Sequence, residues 1–454
     1  VKILHYTLGL PPFRSGGLTK YSVDLMLEQI NLGHDISLLY PGAFNPITKQ
    51  SIKKNKKYYG IQVYEIINPL PVSLLSGIKN PDEYMAKGNK SIYRKFLLAL
   101  KPNVIHIHTL MGIHKEFFEV ASELGIKTIF TSHDYFGLCP KVNLINEEGN
   151  ICNDFESGQA CISCNANGLS FSTVVLMQSN IYRLLKNSKV VKKLRQNKKD
   201  KLKVISQQGE KNNIVFTSEV SSEKYSDLRK YYLSIFSLID QFHFNSSIAK
   251  SEYEKYINLN GKVISISHSD IIDKRKTKRF SNSDEPLRLT YLGPNEKFKG
   301  FDFLINALEE IRETTEFSWH LSLYGDDRIY SKYHLRYYTF KGRYNYNELE
   351  MIFETTDLLI VPSMWKETFG FIGLEGISHG VPIMMSEFVG CKDIITDGET
   401  GIIFKANQED FTDKLKMVLK DRKILEEINQ KILNLNYRNT MEAHTKEIVK
   451  FYCD

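Results

Sequence analysis

At 454 residues the chain is too long for one compact core, so two domains are expected. Apolar residues make up 42% and charged residues 25%, the balance of a soluble globular protein, and no apolar run approaches the roughly 20 residues that a bilayer span needs. The net charge of +7, from 60 Lys and Arg against 53 Asp and Glu, suits phosphates, nucleic acid or an anionic lipid surface and is silent on fold.

The first segment, Val1–Tyr6, reads as a strand. It lacks the basic head, apolar run and small-residue cleavage site of a secretory leader, so a cytoplasmic protein is expected. Pro11-Pro12-Phe13-Arg14-Ser15-Gly16-Gly17 follows, and Leu18, Tyr21, Leu25 and Leu32 then recur at helical spacing. Paired glycines let backbone N–H groups approach an anion at the positive end of that helix, although a plain tight turn has the same composition. The pattern is not G-x-G-x-x-G, so NAD binding is not implied. Ile36–Tyr40, Ile61–Ile67, Val104–His108 and Lys127–Ser132 are further strand-like runs. Their alternation with helical segments predicts a parallel sheet with helices on both faces. His133 and Asp134 stand at the carboxyl end of Lys127–Ser132, where open parallel sheets bind ligands. Asp134 is expected either to orient the His133 ring or to face solvent.

Four of the six cysteines, Cys139, Cys152, Cys161 and Cys164, fall within 26 residues. Four thiols including one C-x2-C pair suit a tetrahedral structural zinc, but the first spacings are irregular, and free thiols or an iron–sulfur centre remain open. Disulfides are disfavoured in a cytosolic chain. Cys391 and Cys453 stand alone and read as inert thiols. Residues 165–235 break the strand–helix rhythm. Arg183–Lys203 holds ten Lys and Arg in 21 residues with one acid, Asp200. As a basic helix with Ile181, Leu184, Leu185, Val191 and Leu194 on one face, it suits peripheral contact with anionic lipid; a solvated helix is the alternative. Gln241–Asn245 and Val263–Ser267 resume the strand pattern.

Lys274–Glu285 is polar and reads as an interdomain linker. A second alternating unit follows. Its expected strands are Leu287–Leu292, Trp319–Tyr324, Leu358–Pro362, Pro382–Ser386 and Ile402–Lys405. Its expected helices are Gly300–Ile311, Asn347–Glu354 and Phe371–His379, with more to about residue 434. The domains are therefore placed at 1–275 and 286–435, with a terminal helix in 436–454 crossing back to the first. At the first turn of the second unit, Lys297 and Lys299 precede Gly300, where an ammonium beside a helix start can neutralise a diphosphate. Asp326-Asp327 reads as a turn. After Leu358–Pro362 comes Lys366-Glu367-Thr368-Phe369-Gly370-Phe371-Ile372-Gly373-Leu374-Glu375-Gly376. Two glutamates with seven residues between them, one in the loop and one in the helix, can accept hydrogen bonds from vicinal sugar hydroxyls. No recognition-helix, zinc-finger or RNA-sheet motif supports nucleic acid as a partner.

The stretch PSMWKETFGFIGLEGISHGVPIM resembles the signature of glycosyltransferase family 4, retaining enzymes of the GT-B fold, in which two Rossmann-like domains face each other across a cleft. PPFRSGG, TSHDYFGLCP, YLGPNEKFKGFDFLINAL and DGETGIIF extend the resemblance over nearly the whole chain, most weakly over 45–100 and 165–235. It implies a nucleotide-sugar donor and a glycan or lipid-linked acceptor, as in assembly of bacterial surface polysaccharide. Glu367 would hold the donor hexose hydroxyls and Glu375 the ribose. Lys299 and the backbone at Gly16-Gly17 would hold the diphosphate, and His133 would lie beside the transferred sugar. Lys297, Phe369, Gly370 and Phe371 complete the expected donor site, and no cofactor is expected for catalysis. Similar enzymes carry Arg where this chain has Pro294, so Lys297 is expected to substitute or one phosphate contact to be missing. A non-catalytic partner subunit of the same fold is the alternative reading.

Overall fold

Apolar runs set the strands. Leu358-Leu359-Ile360-Val361 is buried along its whole length, as a strand covered on both faces must be. In this computed structural model, which describes residues 1–73, 76–185, 220–282, 284–326 and 336–453, the strands form two sheets. The first contains β1 (Lys2–Tyr6), β2 (Asp35–Pro41), β3 (Ser51–Lys54), β4 (Gln62–Ile67), β5 (Val104–Ile107), β6 (Lys127–Ser132), β7 (Gln241–Phe244) and β8 (Gly261–Val263). Their order is β3-β4-β2-β1-β5-β6-β7-β8, parallel except for β3. The second contains β9 (Leu287–Leu292), β10 (Trp319–Tyr324), β11 (Tyr338–Gly342), β12 (Leu358–Val361), β13 (Ile383–Ser386) and β14 (Ile402–Phe404). Its order is β11-β10-β9-β12-β13-β14, and every pair is parallel. Each unit is a doubly wound α/β layer of the expected class.

One apolar core runs from Ile3, Tyr21 and Leu25 of the first unit to Leu289, Leu359 and Met385 of the second. The C-terminal helix Met441–Phe451 belongs to it and buries Met441, Ile448 and Phe451. At about 1.5–3 kcal/mol for each large apolar side chain, those three hold the helix firmly. It lies against the first helix, Gly17–Asn31, where the Tyr21 hydroxyl and His444 Nε2 are 2.8 Å apart and Gln29 Nε2 donates to Tyr452 at 2.8 Å.

Several elements differ from expectation. Val263–Ser267 is not a strand: β8 ends at Val263, and after the Ile264 N–H bonds the Phe244 carbonyl (3.0 Å) the chain leaves the sheet edge. Ile264 and Ile266 are nevertheless buried, which mimics strand alternation. The edge strands β3 and β11 are polar and were not anticipated. Nor was the helix Ser222–Phe236, which buries Tyr225, Leu228, Tyr232 and Phe236. The segment after Asp273 carries no helix or strand but is pinned to the second unit. The Lys274 N–H donates to the Ser378 carbonyl (2.8 Å) and the Ser281 hydroxyl to Asp357 (2.7 Å). Of the basic stretch Arg183–Lys203, residues from 186 onward lie outside the described residues, Val191 and Leu194 of the anticipated apolar face among them, whereas Ile181, Leu184 and Leu185 of that face are exposed. Its first turn is the helix Asn180–Leu185, with Arg183 paired to Glu65 at 3.3 Å. No helix among the described residues is long and apolar enough to cross a membrane.

Candidate functional site

In the second sheet the chain winds outward from β9 through β10 to β11, then returns to β12 on the other side of β9. Such a reversal leaves a crevice outside the carboxyl ends of the two strands. The loops leaving β9 and β12 carry Lys299 and Glu367. They touch: Gly300, at φ 79°, has no room for a side chain, because a Cβ would lie 1.7 Å from the Pro362 carbonyl oxygen. That contact sets Lys299 Nζ 2.6 Å from Glu367 Oε1, while the Ser363 hydroxyl donates to Oε2 at 2.6 Å. The ammonium also lies 5.2 Å above the Trp365 ring.

Gly370, at φ 89°, opens the helix Phe371–Ser378 with no side-chain cap and no acid in its first turn; the Gly373 N–H bonds back to the Gly370 carbonyl (3.1 Å), which leaves the Phe371 and Ile372 N–H groups at the helix start. Glu375, in the second turn, is buried. Its Oε1 lies 3.4 Å from Nε2 of His268, which comes from the other sheet's side of the molecule. His268, Tyr346 and Glu375 border a cavity of about 230 Å³. Burial, and then Glu375, push Tyr346 up to about 12. Phe371 packs 4.9 Å from His268 and faces Gly17, where a Cβ would lie 3.5 Å from the ring. The first helix also starts on glycine, Gly16 at φ 107°, with neither cap nor acid in its first turn. Two uncapped helix starts therefore meet across the crevice.

Two expected donor contacts are not brought to this point. The Phe369 side chain is 2% exposed and belongs to the core, so only its backbone can face a ligand. Lys297 turns away and donates to the Glu148 carbonyl (2.9 Å) in the loop after β6. It therefore does not replace the cation that Pro294 removes. Asp326 accepts from the Asn295 N–H at 3.3 Å, as a turn residue does, and Asp327 lies outside the described residues.

On the facing side, His133 is fixed by its carbonyl, which accepts from the Thr368 hydroxyl (2.9 Å), and by its ring, whose Nε2 is 3.3 Å from His108 Nδ1. Further ties join the same surfaces. Tyr135 donates to the Lys366 carbonyl (2.8 Å), Ser246 to the Thr368 carbonyl (2.6 Å), and Lys366 pairs with Glu252 at 2.5 Å. Asp134 neither orients His133 nor lies open to solvent. Its Oδ1 accepts the Phe136 N–H (2.8 Å), and burial pushes its carboxyl up to about 7.

Sequence reading missed what lies beneath His133. His5 on β1, His106 on β5 and His243 on β7 join His108 and His444 in one buried network. His5 Nδ1 meets His108 Nε2 at 3.0 Å, and His5 Nε2 meets Gln29 at 2.7 Å. His106 meets Tyr452 at 2.7 Å and Thr131 at 2.6 Å, and Thr131 meets His243 at 2.9 Å. Burial lowers His5 and His243 to about 4 and His133 to about 3, and drives His106, His108 and His444 well below the ordinary range. His5, His106 and His108 bring ligand nitrogens within 4.8 Å of one another. Their six nitrogens already have hydrogen-bond partners, which makes the trio a polar core and not a metal centre. The signal in the sequence was His-x-His at 106 and 108 at the end of a strand.

A separate cavity of about 600 Å³ opens beside the first glycine loop. Leu10, Phe13, Val72 and Met177 give it an apolar lining, with Arg14 and Lys57 among its cations. Burial, and then Arg183, lower the Arg14 guanidinium.

Two doubly wound units with their crevices face to face constitute the GT-B fold. Residues 273–434, which span most of the second unit, match the family Glycosyl transferases group 1. The chain is 25% identical over 119 residues to an uncharacterized protein of the cps region of Klebsiella pneumoniae, covering 26% of this chain and 33% of that one. It is 29% identical over 159 residues to an uncharacterized glycosyltransferase of Methanocaldococcus jannaschii, covering 34% and 40%. The chain thus spans about a third to two fifths of the length of these relatives. Among solved structures, Anabaena HepE in complex with UDP and glucose superposes with a TM-score of 0.54 at 11% identity, covering 100% of this chain and 99% of that one.

Proposed function

We propose that the chain is a retaining glycosyltransferase of family 4 that moves a hexose-type sugar from a nucleotide-sugar to a glycan or lipid-linked acceptor, in assembly of bacterial surface polysaccharide. The observation that carries this reading is the Lys299–Glu367 pair at the switch point of the second sheet, with Glu375 one helix turn beyond Phe371 and the Gly16-Gly17 helix start opposite. The nucleoside diphosphate would lie with its ribose on Glu375, a base beside the half-exposed Tyr346, and its pyrophosphate between Lys299 and the two helix starts. Glu367 would hold the hexose hydroxyls, and His133, neutral at physiological pH, would hydrogen-bond the same sugar. As the glycosidic bond opens toward an oxocarbenium-like state, charge grows on the departing diphosphate. Preorganised N–H groups and an ammonium stabilise it without reorganisation. Asp134 has Oδ1 engaged by the Phe136 N–H (2.8 Å) and serves the turn there, so the acceptor is read as attacking from the leaving-group face. The 600 Å³ cavity, apolar with an Arg14 rim, suits an amphiphilic, anionic acceptor. The HepE complex with UDP and the cps-region relative agree with the donor and the pathway class proposed.

Thermal stabilisation by sugar nucleotides tests this reading. A ligand at a hundred times its Kd adds about 2.7 kcal/mol to the folded state, which raises Tm by roughly 3 °C in a chain of this size. One or more of the UDP-, GDP- and ADP-hexoses should do so, and Glu375→Ala should abolish the shift. No shift with any sugar nucleotide would refute the proposal.

A further inference from the structure

The loop leaving β6 past His133 winds from Leu138 to Asn165 with little regular structure: one isolated bridge, Ile145 to Ile151, and the two-turn helix Gln159–Asn165. Its backbone is under strain. Of the seven non-glycine residues with positive φ among the described residues, four lie here: Val142 (66°), Leu144 (53°), Glu156 (49°) and Ser157 (52°). A β-branched residue such as Val142 adopts that conformation only when the surroundings impose it, at a cost of about 1–3 kcal/mol. Something must hold the loop in shape.

Cys139, Cys152, Cys161 and Cys164 all border one void of about 20 Å³ inside this loop. Spacings that looked irregular along the chain bring the four thiols to one void, although their sulfur atoms are not gathered to ligand distance of one another. Arg229, from the helix Ser222–Phe236, borders the same void. It is 7% exposed and held between the Phe155 ring (3.4 Å) and the Tyr256 ring (4.9 Å). Its Nη1 is buried with no hydrogen-bond partner, and no carboxylate pairs with it among the described residues. A buried guanidinium without an anion is expensive, by several kcal/mol. The polar groups at hand are thiols, and thiols answer a cation only as thiolates.

We infer that Cys139, Cys152, Cys161 and Cys164 hold one tetrahedral zinc ion against the Arg229 guanidinium, locking the loop between β6 and the helix Ser222–Phe236. Four thiolates around a divalent ion carry a net charge of about −2, which gives Arg229 the anion it lacks and gives the centre its charge compensation. Binding would draw the four thiols inward until each sulfur stands about 2.3 Å from the ion, and the four thiol protons would leave as it binds. Cys152 gives up its present bond to the Asp154 carbonyl (3.2 Å). A void of about 20 Å³ takes a single ion, whereas an iron–sulfur cluster with its bridging sulfides does not fit. The consequence reaches the crevice. The tip of this loop supplies the Glu148 carbonyl that receives Lys297, and its root is His133-Asp134, so the metal fixes a contact between the domains and the backbone beside the candidate site.

Metal analysis of the full chain, purified without chelator, should find about one zinc per chain. Exchange for cobalt(II) should give thiolate-to-cobalt charge transfer and the strong visible bands of a tetrahedral site. Cys161→Ser and Cys164→Ser should fall below about a tenth of an equivalent, while Cys453→Ser keeps its zinc. Arg229→Gln should bind zinc but lose it to a competing chelator at roughly tenfold lower concentration. If the cysteine variants fail to fold, zinc content and cobalt spectrum of the parent chain still decide. Zinc below a tenth of an equivalent with no cobalt charge transfer, iron in its place, or full zinc in folded Cys161→Ser and Cys164→Ser would overturn the assignment. None of these readouts depends on the donor reading.

Discussion

Glu367→Gln is expected to lower donor turnover by about a hundred- to a thousandfold, the usual cost of removing one preorganised electrostatic contact from a transition state. The substitution keeps size and shape but removes the charge that holds Lys299 at 2.6 Å, and it halves the acceptor capacity offered to sugar hydroxyls. Lys299 then drifts toward the Trp365 ring and away from the position a diphosphate needs. The pair is only partly exposed, 23% and 15%, so some stability is lost as well, and Tm must be measured beside kcat and KM. A fall in kcat with Tm lowered by only a few degrees is the expected signature. Unchanged turnover would remove Glu367 from the chemistry, whereas no donor turnover by the parent chain would favour the reading of a non-catalytic partner subunit, for which Pro294 and the diverted Lys297 are the supporting features.

The second large effect is acid unfolding. Six histidines of the first domain have their protonation driven down by burial, to about 4 for His5 and His243, to about 3 for His133, and well below the ordinary 6.5 for His106, His108 and His444. Above pH 6.5 both folded and unfolded chains keep these rings neutral and nothing is lost. As pH falls below 6.5 the unfolded chain takes up protons that the folded chain refuses, so stability declines until the folded values are reached. For His5 alone a fall of two to three units amounts to about 3 kcal/mol. The network shares protons, so the contributions do not add fully. Asp134 acts in the opposite sense, because a carboxyl raised to about 7 gains stability as pH falls toward 4, but it is one group against six. Against a typical total of about 5–15 kcal/mol, the first domain should unfold cooperatively near pH 5 with uptake of roughly three or more protons. Urea midpoints between about pH 8 and pH 5 measure the slope. A flat midpoint across that range would show that the histidines are not neutral and buried together.

Most strands of the two sheets were legible because they are short apolar runs ending in a turn. Leu358–Val361 and Lys127–Ser132 needed nothing beyond composition and period. β3, Ser-Ile-Lys-Lys, was not legible, since an edge strand exposed to water carries no apolar signature. The two glutamates were visible as a spacing, but what places them was not. Lys299 meets Glu367 because Gly300 lets two loops touch, and Glu375 is met by His268, just past the Val263–Ser267 segment mistaken for strand. Local context also misled. Phe369 and Phe371 look alike in the sequence, yet the αL turn at Gly370 sends one into the core and the other toward the crevice. Lys297 and Lys299 look alike too, and the short helical turn between them points one at Glu148 and the other at Glu367. The histidine network was invisible because its members pair across strands distant in sequence, such as His5 opposite His106.

The most direct measurement is a crystal structure of the full chain with the sugar nucleotide that stabilises it most. The account predicts the ribose on Glu375, the pyrophosphate between Lys299 and the Gly16-Gly17 helix start, and the hexose within hydrogen-bond reach of Glu367 and His133. A nucleotide seated elsewhere, with the Lys299–Glu367 pair untouched, would contradict it.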